Sequence, residues 1–319
     1  MNNYSISTYG RRSKGQNLYH DFNTMIFGGN GAFNRYVWGY GDLKTLTFTN
    51  GAGQLPIAND DEIVKAIAHP DNPRFIYIHW VQHSTLNAYI SKVDLYKNRF
   101  IFTLGCNANN LMRMAVWQNN FIWLSGQTLN ICDIDSGKYL QVIRLVSIND
   151  NMAMVAGHNT LLFSESSAYI FTTDHKEIKL GYSANQNYGV TYDPYEQKYY
   201  YLGTSNSIMQ SSDGVNFYSV ANVPFTTYSI GYTKRHIAVY GHYQLRLYDK
   251  NNFNNSVVGS NAPVPNCPVT YDKYNNCSVV SNQSDGGIRG YDENGNRVYY
   301  STVARYQQAV VIPGVVTCS

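Results

Sequence analysis

The sequence predicts an all-β fold, a single seven-bladed β-propeller of four-stranded antiparallel blades, and three observations lead to it. Seven strand-like stretches each end at an aspartate that opens a turn, and these aspartates recur 36 to 52 residues apart. The segments between them are short apolar or aromatic runs separated by turns rich in Asn, Asp, Gly and Pro. No segment longer than a turn has helical periodicity. A strand repeat of about 40 residues is typical of a propeller. The seven predicted hairpin residues are Asp42, Asp94, Asp135, Asp174, Asp213, Asp249 and Asp292.

Each repeat reads as four strands, of which the second is the most apolar. The second repeat, for example, contains IVKAIAHP, RFIYIHWV, NAYISKVD and RFIFTLG in that order. A second strand that is apolar on both faces is expected where each blade is packed between two neighbours.

The first repeat lacks its innermost strand, and two segments could supply it. One is GQNLYHD just upstream, and the other is the C-terminal segment QQAVVIPGVV. We favour the C-terminal strand, because residues 305–319 otherwise have no place in the repeat. Ring closure of this kind removes sheet edges that would otherwise promote aggregation.

Length and composition fit one repeat domain. We expect residues 1–14 to form a mobile N-terminal arm and residues 15–319 to form the propeller. Only 14% of the 319 residues are charged, whereas Tyr occurs 29 times. The surface must therefore consist largely of uncharged polar groups and tyrosine hydroxyls, which suits contacts with sugars or proteins.

Several classes of function are disfavoured by the sequence. The formal net charge of +3 is too small to indicate nucleic-acid binding. No run of about 18 apolar residues exists, so we expect no membrane insertion, and MNNYSISTYGRRSKG lacks the apolar core of a secretory signal. The five cysteines include no CxxC pair. Free thiols are favoured, although Cys267 and Cys277 flank a predicted hairpin and could face each other across it.

We predict no catalytic residues, no metal site and no cofactor. His79 and His83 are four residues apart, which would suit zinc on a helix, but on a strand that spacing is about 13 Å. A glycosidase needs two carboxylates at a defined separation. The glutamates fall near turns or strand ends without any such pairing; they include Glu62, Glu165, Glu177, Glu196 and Glu293.

The binding residues predicted from the sequence lie in loops between second and third strands. These loops share one propeller face with the crossings between blades, and they are rich in Asn, Ser, Gln, His and Tyr. Such residues form adaptable polar contacts. The predicted binding residues are His83, Asn206, His242 and Tyr243.

Two turn motifs resemble those of known propeller families. SSDGVNF at 211–217 resembles a degenerate Asp-box turn of sialidase-like propellers, and DSGK at 135–138 resembles a hairpin of quinoprotein-like propellers. In the Asp-box family the turn is structural. The Arg-Ile-Pro segment characteristic of sialidases is absent, so the resemblance implies architecture and no activity.

In its low charge, its abundance of Asn and Tyr and its propeller without additional domains, the chain resembles virion propellers of tailed bacteriophages. This resemblance implies a non-enzymatic structural protein of the tail, its fibres or its nozzle, located in the virion and assembled in the host cytoplasm. Its partners would be other virion proteins and, as a second class, host-surface glycans in a receptor-binding role, within a homo-oligomeric assembly. The alternatives are a cytoplasmic scaffold resembling WD-repeat proteins, whose Trp-Asp signature is missing, and a sialidase-like glycan-active propeller.

Overall fold

A computed structural model describes most of the chain. The described residues are 24–29, 38–43, 45–50, 55–58, 61–69, 72, 74–106, 113–183, 188–259, 262–263, 269–281, 287–301 and 306–311. The predicted arm at 1–14 and the thiol of Cys267 lie outside these residues. So does the side chain of Asp42.

The described residues form strands and one short 3-10 turn, Thr204–Asn206. The strands pair into four-stranded antiparallel sheets, numbered here in chain order. Sheet 1 begins with β1 (Thr24–Gly29), β2 (Trp38–Asp42) and β3 (Thr47–Asn50); sheet 2 has β4 (Glu62–Ala68), β5 (Phe75–Val81), β6 (Ala88–Asp94) and β7 (Arg99–Cys106); sheet 3 has β8 (Arg113–Trp117), β9 (Asn120–Ser125), β10 (Thr128–Asp133) and β11 (Tyr139–Arg144).

The later sheets repeat this order. Sheet 4 has β12 (Ala153–Ala156), β13 (Thr160–Ser164), β14 (Ser167–Thr172) and β15 (Glu177–Tyr182); sheet 5 has β16 (Val190–Asp193), β17 (Lys198–Leu202), β18 (Ser207–Ser211) and β19 (Tyr218–Asn222); sheet 6 has β20 (Thr227–Tyr232), β21 (His236–Gly241), β22 (Gln244–Asp249) and β23 (Ser256–Gly259); sheet 7 has β24 (Thr270–Asp272), β25 (Cys277–Ser281), β26 (Ile288–Tyr291) and β27 (Arg297–Ser301). The prediction of an all-β propeller with four-stranded antiparallel blades is confirmed.

Six sheets are each made of four consecutive strands, and sheet 1 unites the two ends of the described chain. Its fourth strand is β28 (Tyr306–Val311), which pairs antiparallel with β1 and places Met25 opposite Val311. The first repeat therefore receives its missing strand from the C-terminal segment, as the sequence analysis favours. The competing segment, GQNLYHD, lies outside the described residues.

The second strand of each sheet forms the core. In β5, β13, β21 and β25 nearly every residue is buried, so both faces of these strands pack against neighbouring sheets. The fourth strands alternate between exposed and half-buried residues, as in β7, or are mostly exposed, as in β11. The apolar character of the second strands in the sequence thus follows from burial on two faces.

Side-chain contacts join each sheet to the next. The rings of Tyr77 and Phe121 stack at 4.6 Å between sheets 2 and 3. The hydroxyl of Tyr240 lies 2.7 Å from the hydroxyl of Ser278 between sheets 6 and 7. Asn275 Nδ2 donates to the carbonyl of Leu43 at 3.0 Å, which joins sheet 7 to sheet 1. The sheets are therefore mutually dependent.

Four of the predicted aspartates hold their hairpins by accepting backbone N–H bonds. Asp94, Asp213, Asp249 and Asp292 each accept at least one backbone amide from a residue two to four positions later. This is the Asx-turn chemistry on which the prediction relied. Backbone bonds from Asn216 and Val215 hold the pKa of Asp213 well below its usual range.

At two hairpins the structure corrects the residue assignment. In sheet 3 it is Asp133, not Asp135, that accepts the amides of Asp135 and Ser136. In sheet 4, Thr172 accepts the amide of Lys176 at 3.1 Å. Asp174 only accepts from the Thr172 hydroxyl and pairs with Lys176. The strands end two residues earlier than the aspartate pattern suggests, so Asp135 and Asp174 lie within the turns.

A buried ion pair joins sheets 5 and 6. Lys250 follows β22 and contacts the carboxylate of Asp193 at the end of β16, and both side chains are almost completely buried. The Lys250 ammonium also donates to the carbonyl of Lys234 at 3.2 Å. It lies 5.7 and 5.8 Å from the ring centroids of Tyr195 and Tyr232. This cation therefore has partners from both sheets, which makes the desolvation of the charge tolerable.

The described cysteines Cys106, Cys132 and Cys277 are free thiols. Burial raises the pKa of Cys106 and of Cys277 to about 12. The possible pairing of Cys277 with Cys267 involves a residue outside the described part of the chain. The described residues include no helix long and apolar enough to cross a membrane.

Loss of strand β28 should destabilise the whole protein. A chain that ends at Ser301 leaves β1 without its partner and exposes a sheet edge, so we expect a lower thermal midpoint and self-association. The matched control is a chain that ends at Val311 and keeps β28. Thermal unfolding with light scattering checks this, and equal midpoints for the two truncations would contradict it.

Removal of the carboxylate of Asp193 should leave the Lys250 ammonium buried without its counter-ion. We expect Asp193→Ala to lower the free energy of unfolding by about 3–5 kcal/mol, and the double variant Asp193→Leu/Lys250→Met to recover most of that loss. Denaturant unfolding measures both.

The control for this substitution is Arg235→Met, which breaks an ion pair with Asp249 in which the arginine side chain is 62% exposed. That change should cost less than about 1 kcal/mol. An Asp193→Ala variant no less stable than Arg235→Met would show that the buried pair contributes little.

Candidate functional site

The two ends of the sheets carry different sets of connections, and we call them the turn face and the loop face. The turn face carries the connections between first and second and between third and fourth strands. The loop face carries the connections between second and third strands and the crossings between sheets. Because antiparallel strands alternate in direction, these two sets of connections lie at opposite ends of the sheets.

The described residues enclose a groove on the turn face, where sheets 3, 4 and 5 meet. It is open to solvent and has a volume of about 580 Å³, within the range of small-ligand sites. We call it the turn-face groove. It is lined by Val116, Trp117, Gln118, Asn119, Ala156, Gly157, His158 and Tyr192. All come from first strands or from the turns that follow them, so the groove lies where the innermost strands end.

The groove wall on sheet 3 is a tight two-residue turn. Trp117 pairs with Asn120 across it, and Gln118 and Asn119 have φ values of +50° and +57°. Two consecutive residues in the left-handed region make the type of hairpin turn that Asn favours. Gln118 Nε2 donates to the carbonyl of His158 at 2.7 Å, which fixes this turn against the corresponding turn of sheet 4.

The wall on sheet 4 is held by a tyrosine from sheet 5. The hydroxyl of Tyr199 accepts the amides of Asn159 and Thr160 at 2.9 and 3.2 Å. Its ring lies directly beneath Gly157, where an added Cβ would come within 2.0 Å of a ring carbon. Only glycine fits at this position. Tyr199 also contacts the groove residue Tyr192, with ring centroids 4.8 Å apart.

The polar groups of the groove are amide, imidazole, indole and phenol groups. No Asp, Glu, Lys or Arg is among the described residues that line it. Burial raises the pKa of Tyr192, so its hydroxyl remains a hydrogen-bond donor near neutral pH. The buried indole N–H of Trp117 has no partner within the described part of the chain. That atom is shielded from solvent, so the polar side chains that a ligand can reach are those of Gln118, Asn119 and His158.

The four residues predicted to bind lie on the loop face, away from this groove. His242 and Tyr243 in sheet 6 are exposed, and their rings are 4.5 Å apart. Asn206 lies on the neighbouring sheet 5, where its carbonyl accepts the amide of Val223 at 2.9 Å. His83 lies on sheet 2, which is not adjacent to sheet 5 or sheet 6. The structure therefore brings together His242 and Tyr243 and leaves His83 apart from them.

Two carboxylates of sheets 4 and 5 have structural roles. Asp193 follows Tyr192 and pairs with Lys250. Glu177 accepts the amides of Val146, Ser147 and Ile148 at 2.6 to 3.2 Å and ties sheet 4 to the crossing that leaves sheet 3. The described residues contain no group of three or more His, Cys, Asp or Glu placed to hold a metal ion.

The sequence analysis recognised the groove-forming segments only as turns. Both WQNN and GHNT have turn chemistry, but neither indicates that they lie side by side. That neighbourhood depends on Tyr199, which is 40 residues from Asn159 in the chain. No local pattern in the sequence indicates which residue of the next sheet each turn contacts.

Comparisons with known proteins identify the fold. No family model matches the chain and no curated protein matches it. Among solved structures, a quinonprotein alcohol dehydrogenase-like protein from Bacteroides thetaiotaomicron superposes with a TM-score of 0.64 at 10% identity, over 92% of this chain and 79% of that one. A protein from Lactobacillus plantarum gives 0.63 at 11% identity, over 90% and 98%. A functionally unknown protein from Desulfotomaculum acetoxidans gives 0.62 at 11%, over 91% and 98%. At these identities the likeness shows a β-propeller and nothing about activity.

The wall of the groove should be sensitive to a methyl group at residue 157. Gly157→Ala must displace the ring of Tyr199, so we expect a loss of about 1–3 kcal/mol in the free energy of unfolding. The control is Gly105→Ala on β7, where nothing lies within 4 Å of an added Cβ. Urea unfolding of both variants checks this, and equal stabilities would mean that the turn rearranges without cost.

Proposed function

We propose that this protein is a non-catalytic binding propeller that takes a neutral, hydroxyl-rich ligand, a glycan, in the turn-face groove. The observation that supports it most strongly is the lining, in which the half-buried ring of Tyr192 offers aromatic surface and the exposed side chains of Gln118 and His158 offer polar groups. Aromatic rings beside amides suit a ligand with apolar C–H faces and many hydroxyls. A non-catalytic role agrees with the turn and ion-pair roles of the nearby carboxylates.

The proposal includes a ring of seven blades. Contacts between successive sheets support it: Arg113 Nε donates to the carbonyl of Met152 between sheets 3 and 4, Tyr199 bridges sheets 4 and 5, and Asn275 joins sheet 7 to sheet 1. In such a ring, the groove lies at one mouth of the central channel.

We also propose that the protein serves in a bacteriophage tail or its fibres, as a homo-oligomer in contact with other virion proteins. The support is compositional: 14% charged residues and 29 tyrosines give a surface whose contacts depend little on salt. Mass spectrometry of purified particles from a producing host should find the protein at a fixed ratio to tail subunits. Its absence from the particles would contradict this placement without affecting the groove.

Glycan binding by the purified protein tests the main proposal. On a glycan array and on bacterial cell-wall material, we expect saturable binding that His158→Ala weakens at least about tenfold and that Tyr192→Phe also weakens. The matched controls are His83→Ala, His242→Ala and Tyr243→Ala on the loop face, which should bind like the unmodified protein.

The two sets of variants separate the possible outcomes. Binding lost only in the loop-face variants would refute the groove as the site and support the residues predicted from sequence. Absence of binding by the unmodified protein at high concentration would refute glycan recognition and leave a role in assembly through protein contacts.

A further inference from the structure

A second polar site lies between sheets 2 and 3, at the opposed pair Lys65 and His79. A β-bulge at Val64 shifts the register of β4, so that Lys65 lies directly opposite His79 of β5. Residues paired in this way project to the same face of a sheet. Tyr77, two residues before His79 and hence on the same face, stacks on Phe121 of sheet 3. Lys65 and His79 therefore both face the interface between the two sheets.

Within the described part of the chain, neither side chain has a polar partner. His79 is fully buried, and neither of its ring nitrogens has a hydrogen-bond partner within the described part of the chain. Lys65 is half-buried, and among the described residues none forms a hydrogen bond or ion pair with its ammonium. Buried polar groups in folded proteins are normally hydrogen-bonded. His79 is an exception to this rule, and the Lys65 ammonium beside it can also donate, so an external acceptor would complete the site.

The electrostatic surroundings favour an anion. Burial and the neighbouring charge of Arg113 lower the pKa of Lys65 to about 7. Burial and the charge of Lys65 lower the pKa of His79 to about 3. No carboxylate contributes to either shift, so the positive charge of Lys65 is uncompensated. The other titratable groups that face this interface are His69, Tyr77, Lys92, Cys106, Arg113, Cys132 and Asp135. His69 stacks on Tyr77, and Asp135 is already paired with Lys92.

We propose that Lys65 and His79 bind a small oxyanion, a phosphate-, sulfate- or carboxylate-sized group, that enters from the solvent-accessible side of Lys65. The Lys65 ammonium would supply the charge and the imidazole N–H of His79 a hydrogen bond. A metal ion is disfavoured because the lysine charge would repel it. This site lies apart from the turn-face groove and does not depend on the glycan proposal.

Sulfate is the probe of choice because it stays doubly charged between pH 6 and pH 8. Only the protonated amine of Lys65 attracts an anion, and the pKa of Lys65, about 7, lies between pH 6 and pH 8. We therefore expect the sulfate affinity measured by calorimetry to be about tenfold higher at pH 6 than at pH 8, with proton uptake on binding near pH 7. Proton uptake is read from the heats in buffers of different ionisation enthalpy.

Variants identify the residues involved. Lys65→Met should abolish the pH-dependent sulfate binding, and His79→Phe should weaken it at pH 6. The matched control Lys97→Met removes an exposed lysine from the same sheet and should bind like the unmodified protein. Circular dichroism melts show whether each variant is folded. If a variant does not fold, a second measurement on the unmodified protein takes its place. In that measurement, the rate at which an amine-labelling reagent reacts with Lys65 is compared with and without sulfate.

Three results would overturn the proposal. They are sulfate affinity that is equal at pH 6 and pH 8, binding that survives in folded Lys65→Met, and labelling of Lys65 that sulfate does not slow. Binding that is lost in Lys65→Met and unchanged in His79→Phe would remove His79 from the site and refute the paired arrangement.

Discussion

Burial of both faces of each second strand is the constraint on which the rest of the structure depends. In β13, β21 and β25 every residue is buried, so an isolated sheet would expose two apolar faces to water. Each sheet is stable only between two neighbours. Hydrophobic transfer supplies the driving force, but it does not distinguish one neighbour from another. The polar contacts between sheets provide that selectivity, since a donor such as Arg113 is satisfied only by the carbonyls of the next sheet.

The same constraint determines what the carboxylates can do. An ion buried between sheets needs a partner, and Lys92 and Lys250 obtain theirs from Asp135 and Asp193 of adjacent sheets. Other aspartates accept backbone amides at hairpins, where their charge stabilises the turn. Asp193, which follows the groove residue Tyr192, is among these occupied groups, and the described lining of the groove contains no Asp or Glu. For this reason we propose binding there rather than acid–base catalysis.

The sequence predicted the features that recur with every repeat and missed those that depend on a neighbour. The four strands of each blade, their antiparallel pairing and the closing strand follow from the period, the turn residues and the apolar runs, all of which are local. The hairpin of sheet 3 shows the limit of local reasoning. CDIDSGK contains two aspartates, and only the register of β10 reveals that Asp133 accepts the turn amides while Asp135 reaches Lys92. The groove was missed for the same reason, because His158 and Gln118 meet only when two turns are brought together.

Lys65 differs from three other cations that lie between sheets. Lys92, Lys250 and Arg113 each reach a carbonyl or carboxylate of an adjacent sheet, and those contacts offset the cost of desolvation. Lys65 also lies at an interface, toward which the bulge at Val64 directs it, but its side chain meets no acceptor among the described residues. A bulge is a local distortion of the ladder that re-aims a side chain. A distortion that aims a lysine at an interface without an acceptor is consistent with selection for a ligand and is hard to explain by stability alone.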